Sequence, residues 1–465
     1  MKNNLWILTE ERPKKEVIRK ILEKFSKDYS APAFIDPIKI FPILEKSKFT
    51  FTYEVSGFRC NKVEKVYIKT ISGFSSCVDF LIFLQENEPS FNDKPIYAIE
   101  ETKTDDKESR NTGIYQRCSK FVFINNYYPN IKKIMLYNLQ IEQKLNPSDT
   151  YIFGTRLLLT LGVEILGKEL DQEVFKPFST IEEIIISKSK MRAAPKGNVP
   201  ISINKIVDSN TIEISGRLEK NGSLAHDPNI GALTVISATL RNLNWDGKII
   251  ITKHGLKQSN IGKNNKFLQI ANLLNIELSD LVFPKTELGK NYWYYDKNGE
   301  KLGTIFIHLV VENFTIGESI FENHAGCEKG YFLPKDGDPI PLKKYSDRDQ
   351  YKAGDKSKAL SIPDLILIDF GRSEIINIEG KKYEFRKKGI EELKNYEAIE
   401  SLYIKKYYPK FKIIRTVVLY GGNTTKIVEI EVGFILNQNG ELILSVKAPK
   451  LFKEAIKNLI DFWTQ

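Results

Sequence analysis

Acidic residues followed by a lysine lie within two apolar stretches, one near each end of the chain. In the C-terminal stretch, Asp364 precedes the apolar run LILIDF, and Glu379 and Lys381 belong to the next run, EIINIEGKK. Residues two apart in a strand project from the same face, so Glu379 and Lys381 would lie side by side. Buried carboxylates persist when they are paired, hydrogen-bonded or bound to a cation. The pattern therefore predicts a charged site between two strands.

A similar pattern occurs in the N-terminal part of the chain. The run VDFLIFLQ carries Asp79, and the run IYAIEETKT carries Glu101 and Lys103. Pairing of these two strands in a hairpin is expected to bring Asp79 beside Glu101. Glu100 is the alternative carboxylate, but it would project from the face opposite Lys103. Glu101 is therefore the preferred candidate.

Two converging carboxylates repel each other unless a cation joins them. Mg²⁺ suits such a site because it takes oxygen ligands and keeps positions for water and for a substrate phosphate. The expected metal ligands are Asp79 and Glu101 in the first site, and Asp364 and Glu379 in the second. A nearby lysine can orient the attacking water or stabilise charge that builds on phosphoryl oxygens. These are the groups that hydrolysis of a phosphodiester requires.

Each candidate site belongs to a longer pattern that occurs twice. After the second strand, apolar residues at helical spacing predict a helix, and both helices end in Tyr-Tyr-Pro, at Tyr127–Pro129 and at Tyr407–Pro409. A short basic stretch and an apolar strand follow each time. The repeated order is strand, strand, helix, strand. It predicts a mixed α/β (α+β) fold with two modules, each a central mixed sheet flanked by helices.

Both copies resemble the PD-(D/E)XK nuclease superfamily, to which most type II restriction endonucleases belong. The C-terminal copy carries the full motif in Pro363-Asp364 and Glu379-Gly380-Lys381, whereas the N-terminal copy has Val78 where the family often has proline. The resemblance implies a Mg²⁺-dependent endonuclease acting on double-stranded DNA. It implies six catalytic residues: Asp79, Glu101, Lys103, Asp364, Glu379 and Lys381.

The resemblance also implies supporting residues. In many relatives a helix after the second strand adds a polar side chain, a role that Gln116 would fill in the first copy. Glu397 stands in the rough equivalent position of the second copy, which departs from the first. Some relatives use a glutamate on the first helix, and Glu16 is the candidate, within a helix that apolar spacing predicts over residues 10–29.

The bulk composition is that of a globular protein, and the length of 465 residues suggests about two to four domains. Lys and Arg total 69 against 59 Asp and Glu, a net charge of +10 that favours a polyanionic partner. The four cysteines lack CxxC spacing, so we expect neither a disulfide framework nor structural zinc. The sequence shows neither a signal peptide nor an apolar stretch of membrane-spanning length, so we expect a cytoplasmic protein without a membrane partner.

Composition divides the chain into four predicted segments. They are an N-terminal nuclease module (1–187), a basic linker (188–200), a central region for DNA recognition (201–335) and a C-terminal nuclease module (336–465). The basic, amide-rich stretch KHGLKQSNIGKNNK in the central region suits phosphate and base contacts, although a solvated loop explains the same composition. The candidate DNA contacts are Lys253, Lys257, Gln258, Asn260, Asn264 and His226. His254, His308 and His324 lack metal-ligand spacing and receive no role.

Several interpretations follow from the duplication. The leading one is a type II restriction endonuclease whose two different sites each cut one strand of an asymmetric target, which favours a monomer. In the alternative, one module is active and the other is a DNA-binding or effector domain, and the protein dimerises. A structure-specific repair or recombination nuclease and a non-catalytic DNA-binding protein are further alternatives. The recognition sequence, the oligomeric state and a companion DNA methyltransferase are left open.

Overall fold

A computed structural model of the protein describes residues 3–73, 77–102, 113–138, 147–191, 201–220, 223–224, 228–263, 265–284, 286–327, 329–424 and 426–465. The chain divides into two compact units. The first comprises Met1–Ile71, Leu84–Glu88 and Tyr295–Gln465, and the second comprises Ser72–Phe83 and Pro89–Tyr294. This division by compactness does not follow the four predicted segments, whose functional boundaries stay a prediction.

The strands are named in chain order. They are β1 (Asn3–Thr9), β2 (Ala33–Glu45), β3 (Lys48–Cys60), β4 (Val63–Gly73), β5 (Phe80–Gln85), β6 (Tyr97–Thr102), β7 (Lys132–Tyr137), β8 (Val163–Leu166), β9 (Ser202–Ile206), β10 (Thr211–Ser215), β11 (Glu219–Lys220), β12 (Ser223–Leu224), β13 (Lys248–Thr252), β14 (Ile276–Leu278), β15 (Trp293–Tyr295), β16 (Glu318–Glu322), β17 (Lys329–Phe332), β18 (Ile340–Lys343), β19 (Leu365–Asp369), β20 (Glu374–Lys382), β21 (Lys412–Tyr420), β22 (Val432–Leu436) and β23 (Leu442–Leu444).

The helices are named in the same way. They are α1 (Lys15–Asp28), α2 (Gly113–Tyr127), α3 (Asp149–Thr160), α4 (Ile181–Lys190), α5 (Pro228–Asn242), α6 (Asn265–Leu273), α7 (Lys301–Phe314), α8 (Arg348–Lys352), α9 (Arg386–Glu392), α10 (Glu397–Ile399), α11 (Lys405–Tyr407) and α12 (Lys450–Thr464). A 3₁₀ turn (Leu393–Tyr396) and a π-helical turn (Glu400–Ile404) join α9, α10 and α11. We call this continuous stretch the 386–407 segment.

The first unit holds the C-terminal candidate site on a six-stranded sheet of order β16-β19-β20-β21-β22-β23. Strands β19 and β20 pair antiparallel, whereas β20 and β21 run parallel over nine residues each. A parallel pair needs a crossover, which the 386–407 segment supplies. Helix α7 is predominantly apolar and is buried along residues 302–311, as expected for a helix inside a core.

The same unit contains the N-terminal strands, in which β2-β3-β4-β1 are successive neighbours. Helix α1 confirms the amphipathic pattern predicted near the N-terminus. Its apolar residues at three- and four-residue steps, among them Val17, Ile21 and Phe25, are all buried.

The second unit holds the N-terminal candidate site on the strands β5-β6-β7-β8, of which β5 contributes residues 80–83 to this unit. Strands β5 and β6 pair antiparallel, and β6, β7 and β8 pair parallel. Helix α2 connects β6 to β7. A separate four-stranded sheet of order β14-β13-β10-β9 belongs to the central region.

The repeated order predicted from the sequence is confirmed. Both copies form an antiparallel pair, a helical crossover and a strand parallel to the second strand. The Tyr-Tyr-Pro ends match as well, because the amides of Tyr128 and Tyr408 both donate to the carbonyl four residues earlier. Both tyrosine carbonyls accept from the amide three residues later. The protein is thus of mixed α/β class, as predicted.

Membrane-spanning helices are absent from the described ranges. Each helix there is too short or too polar to cross a bilayer.

Candidate active sites

Strand register brings Asp364 and Glu379 together in the C-terminal site. Leu365 faces Ile378 across the β19–β20 pair, so the next pair outward is Asp364 with Glu379. The amide of Gly380 donates to Oδ2 of Asp364 at 2.8 Å, which fixes that carboxylate on the strand. Within the part of the chain that the structure describes, Oδ1 of Asp364 makes no hydrogen bond. One oxygen of Asp364 is therefore open to a ligand.

Lys381 lies beside Glu379, as expected for two residues that project from the same face of one strand. Its ammonium forms an ion pair with Oε1 of Glu379 and a second one with Oε2 of Glu392, at 3.0 Å. The lysine side chain is 14% exposed and that of Glu379 is 7% exposed, so this ion pair is largely screened from solvent. The absence of a side chain at Gly389 lets the Lys381 stem pass, because a Cβ there would lie 2.9 Å from Cγ of the lysine.

The 386–407 segment holds the polar face of β20 through side chains one helical turn apart. Three pairs form: Glu392 with Lys381, Tyr396 with Glu379, and Glu400 with Asn377. The three pairs align because the spacing of residues one helical turn apart is similar to the spacing of residues two apart on a strand, about 5–7 Å in both cases. Tyr396 donates its hydroxyl to Oε2 of Glu379, and Arg415 binds both oxygens of Glu400. The crossover therefore fixes the orientation of the candidate catalytic groups.

The two carboxylates of this site repel each other in a dry environment. Burial raises the pKa of Asp364 to about 7 and that of Glu379 to about 8, and the charge of Asp364 adds to the increase at Glu379. Lys381 opposes both increases. Burial would lower the pKa of Lys381, but Glu379 and Glu392 outweigh that effect and raise it. The lysine is thus held as an ammonium.

These groups fit a magnesium ion. Both acids offer only oxygen ligands. Oδ1 of Asp364 makes no hydrogen bond within the described part of the chain, and a metal ion at Glu379 would take the place of the Lys381 ammonium. The raised pKa values of Asp364 and Glu379 reflect the burial and repulsion that a bound cation would relieve. Mg²⁺ commonly takes one or two protein carboxylates and completes its shell with water and phosphate oxygens. Two carboxylates with few other protein donors match that preference.

The N-terminal site brings together a set that differs from the predicted one. Phe80 faces Ile99 across the β5–β6 pair, so Asp79 pairs with Glu100. The amide of Glu101 donates to Oδ2 of Asp79 at 2.8 Å. The side chain of Glu100 is 3% exposed and lies on the same face as Asp79. The structure therefore places Glu100, rather than Glu101, beside Asp79.

Glu101 projects elsewhere. Its Oε1 accepts a hydrogen bond from Nδ2 of Asn138 at 3.1 Å. The expectation that the hairpin brings the Glu101 side chain beside Asp79 is not met, because the strand register places Glu100 opposite Asp79 and neighbouring residues of a strand project from opposite faces. Lys103, chosen for its position relative to Glu101, lies outside the described residues.

Lys120 of helix α2 joins the two acids of the N-terminal site. Its Nζ lies 3.2 Å from Oδ1 of Asp79 and 2.7 Å from Oε1 of Glu100. Arg117, one helical turn earlier, approaches Glu100 at 4.0 Å. Burial raises the pKa of Glu100 to about 8 and Asp79 adds to the increase, while Lys120 and Arg117 oppose it. Lys120 was not among the residues predicted from the sequence, although its position on the predicted helix was a usable signal.

The supporting residues implied by the resemblance are less well placed. The backbone of Gln116 belongs to α2, but its side chain lies outside the described part. Glu397 is exposed, and the residues of the 386–407 segment that reach the site are Glu392 and Tyr396. Glu16 is exposed in the first turn of α1, where its charge helps to raise the pKa of Arg12.

The candidate DNA contacts are described in part. Lys253 and Lys257 are exposed, as a phosphate contact requires. Gln258 uses its side-chain amide within the protein, donating to the carbonyl of Val282 at 3.0 Å and accepting from its amide at 3.1 Å. His226, Asn264 and the side chain of Asn260 lie outside the described part. The DNA-binding role of this stretch stays a prediction.

Two histidines without a predicted role meet in the first unit. His308 and His324 lie with Nδ1 and Nε2 2.9 Å apart, and Glu322 joins them in a group of possible metal ligands. However, the Glu322 carboxylate is already bound by Arg12 and Lys14, each at 2.7 Å. A metal ion would have to displace two cationic side chains from this one carboxylate, whereas one lysine contacts the acids most closely in each of the two sites above. We therefore interpret the group as a structural network.

Comparison with known proteins gives no relative for this chain. No protein-family model matches it, and the comparisons with curated proteins and with solved structures found no significant match. The function proposed for these two sites therefore rests on their geometry and on the motif resemblance.

Proposed function

We propose that the protein is a Mg²⁺-dependent endodeoxyribonuclease of the type II restriction class. The observation that carries this proposal is the convergence of Asp364, Glu379 and Lys381 in one largely buried site, with Asp364 directly before β19 and the other two on β20. Burial of three charged groups costs desolvation free energy, which their mutual attraction repays only in part, so such a group adds little to stability. A catalytic role accounts for their retention.

Asp364 and Glu379 would hold the metal ion. Bound Mg²⁺ would polarise the phosphate and lower the pKa of a water ligand. In the hydrolysis, the oxygen of one water forms a bond to phosphorus while the bond to one ester oxygen breaks. The electron pair of the broken bond stays on that oxygen, which takes up one proton from solvent, while the attacking water releases one proton to solvent. The products are a phosphate monoester and a hydroxyl group.

Lys381 would stabilise the negative charge that builds on the phosphoryl oxygens during this step. Its raised pKa keeps it protonated at neutral pH, so it acts through its charge rather than as a base. Glu392 and Glu379 limit the positions that the ammonium can take. Preorganised charge of this kind costs little rearrangement during the reaction.

DNA as the substrate is supported by charge and by the resemblance. The net charge of +10 favours a polyanion, because binding of phosphates by lysine and arginine releases counterions. The restriction class and double-stranded DNA come from the resemblance to the PD-(D/E)XK superfamily. A companion methyltransferase would belong to this proposal, since a restriction enzyme requires protection of its host's DNA.

The test is digestion of plasmid and linear DNA with Mg²⁺ by wild type, Lys381→Ala and Asp364→Asn. Lys412→Ala serves as the control because it removes an ion pair from an exposed lysine on the neighbouring strand. We expect wild type and the control to cut linear DNA into discrete fragments. Lys381→Ala and Asp364→Asn should lose the strand cut that the C-terminal site makes. Absence of Mg²⁺-dependent cleavage by wild type would refute the proposal, and preference for branched DNA would refute the restriction class.

A further inference from the structure

The acidic residues of the two candidate sites occupy equivalent positions on their strands. Asp79 and Asp364 each accept a 2.8 Å hydrogen bond from the amide of the residue that follows the second acid. That second acid is Glu100 in one site and Glu379 in the other. The correspondence rests on backbone hydrogen bonds and is independent of which residues the sequence motif singles out.

The ammonium group comes from a different element in each site. In the C-terminal site it belongs to Lys381, two residues after the second acid on the same strand. The equivalent strand position in the N-terminal site is Thr102, which carries no charge. Lys120 of helix α2 instead reaches both acids, at 3.2 Å from Asp79 and 2.7 Å from Glu100. The N-terminal site thus has two carboxylates and one ammonium, like the C-terminal site.

We propose that Asp79, Glu100 and Lys120 form a second catalytic centre, in which the helix supplies the lysine that the strand supplies in the C-terminal site. This inference rests on the proposed function. Asp79 and Glu100 would hold Mg²⁺ in place of the Lys120 ammonium, which would turn to the phosphate under attack and stabilise its charge. The reaction is the same hydrolysis, in which a bond from water oxygen to phosphorus replaces the bond to one ester oxygen.

Two different centres in one chain allow each strand of a duplex to be cut by its own site. Loss of one centre then leaves an enzyme that cuts a single strand. A lysine that only neutralised Asp79 and Glu100 would give a different result, because any cation of similar reach would serve. This difference provides the test.

The experiment follows the conversion of supercoiled plasmid to nicked and linear forms with Mg²⁺ by wild type, Lys120→Arg and Asp79→Asn. Lys120→Arg keeps the positive charge, but the planar guanidinium does not reproduce the compact ammonium. Asp79→Asn keeps an oxygen that can accept the Glu101 amide hydrogen bond. Lys132→Ala is the control, since it removes an exposed ion pair in the same unit. Thermal unfolding of each variant is measured alongside.

We expect both site variants to accumulate nicked circles, with the second cut slowed on the order of 10²-fold, while the control linearises the plasmid like wild type. Combining Lys120→Arg with Lys381→Ala should abolish both cuts. Linearisation by folded Lys120→Arg at the wild-type rate would overturn the second centre. Lys103→Ala is assayed as a further variant, because Lys103 was the lysine predicted from the sequence. If Lys103→Ala only nicks the plasmid while Lys120→Arg is fully active, the assignment of Lys120 is also overturned. If wild type itself leaves the plasmid intact, the proposed function fails rather than this inference alone.

Discussion

Replacing Gly380 by alanine is expected to disturb the C-terminal site through the helix packed against it. An alanine Cβ would lie 2.6 Å from Cγ2 of Thr304 on α7 and 3.2 Å from Oδ2 of Asp364. Carbon atoms in cores pack at about 3.5–4.0 Å, so Thr304 must retreat by about 1 Å. Its hydroxyl donates to the carbonyl of Lys301 at 3.0 Å and lies 3.0 Å from Nδ1 of His324. Rotation of the side chain would therefore cost hydrogen bonds.

The magnitude follows from this crowding. Overpacking of a core costs about 1–3 kcal/mol. For a unit of this size, 2 kcal/mol corresponds to a fall in melting temperature of about 4–8 °C. A displacement of about 1 Å in a catalytic group can reduce the rate on the order of 10²-fold. We expect Gly380→Ala to show both losses.

Thermal unfolding and plasmid cleavage measure the two effects separately. Thr304→Ser removes Cγ2 but keeps the hydroxyl, so the double variant Gly380→Ala/Thr304→Ser should recover most of the stability and part of the activity. Wild-type stability and cleavage in Gly380→Ala would contradict the packing argument. Failure of Thr304→Ser to restore stability would show that the clash lies elsewhere.

Further predictions concern the charges of the first unit. In metal-free protein, Asp364 and Glu379 bind protons in the folded state up to about pH 7 and 8, above their unfolded pKa, so stability measured by urea unfolding should fall as the pH rises from about 5 to 8. Mg²⁺ at about 100 times its Kd should add about 2.7 kcal/mol at pH 8 in wild type and much less in Asp364→Asn; equal effects would argue against this metal site. Tyr396→Phe should cost about 1 kcal/mol at pH 6 and about 2 kcal/mol at pH 9, where Glu379 is ionised, and a loss that does not vary with pH would contradict this. Arg12→Ala leaves half-buried Glu322 with one cation fewer and should cost about 3 kcal/mol in unfolding experiments, the lower end for buried pairs because Lys14 stays bound to Glu322, and still more than loss of an exposed ion pair.

The C-terminal site was predictable because its residues are close in sequence. Glu379 and Lys381 lie two apart on one strand, and a short turn brings Asp364 back beside them. A period of two fixes the shared face without knowledge of the rest of the fold. The partners Glu392 and Tyr396 were missed, since the rotation of the 386–407 segment about its axis depends on packing and on its π-helical turn.

The N-terminal site was predicted only in part for a related reason. Asp79 was identified, but the choice between Glu100 and Glu101 depends on strand register, and the long connection between β5 and β6 leaves that register open. The contribution of Lys120 required knowledge of which face of α2 meets the sheet. His308, His324 and Glu322 likewise meet only through tertiary packing.

The sequence by itself determined the duplicated order of strands and helices, the Asp364–Glu379–Lys381 set and the basic character of the chain. These features follow from local periodicity and composition, which act over a few residues. Only the tertiary structure decided that Glu100 pairs with Asp79 and that Lys120 lies between them. Register and helix rotation are fixed by the burial of whole faces, and that burial is a property of the assembled fold rather than of any short stretch.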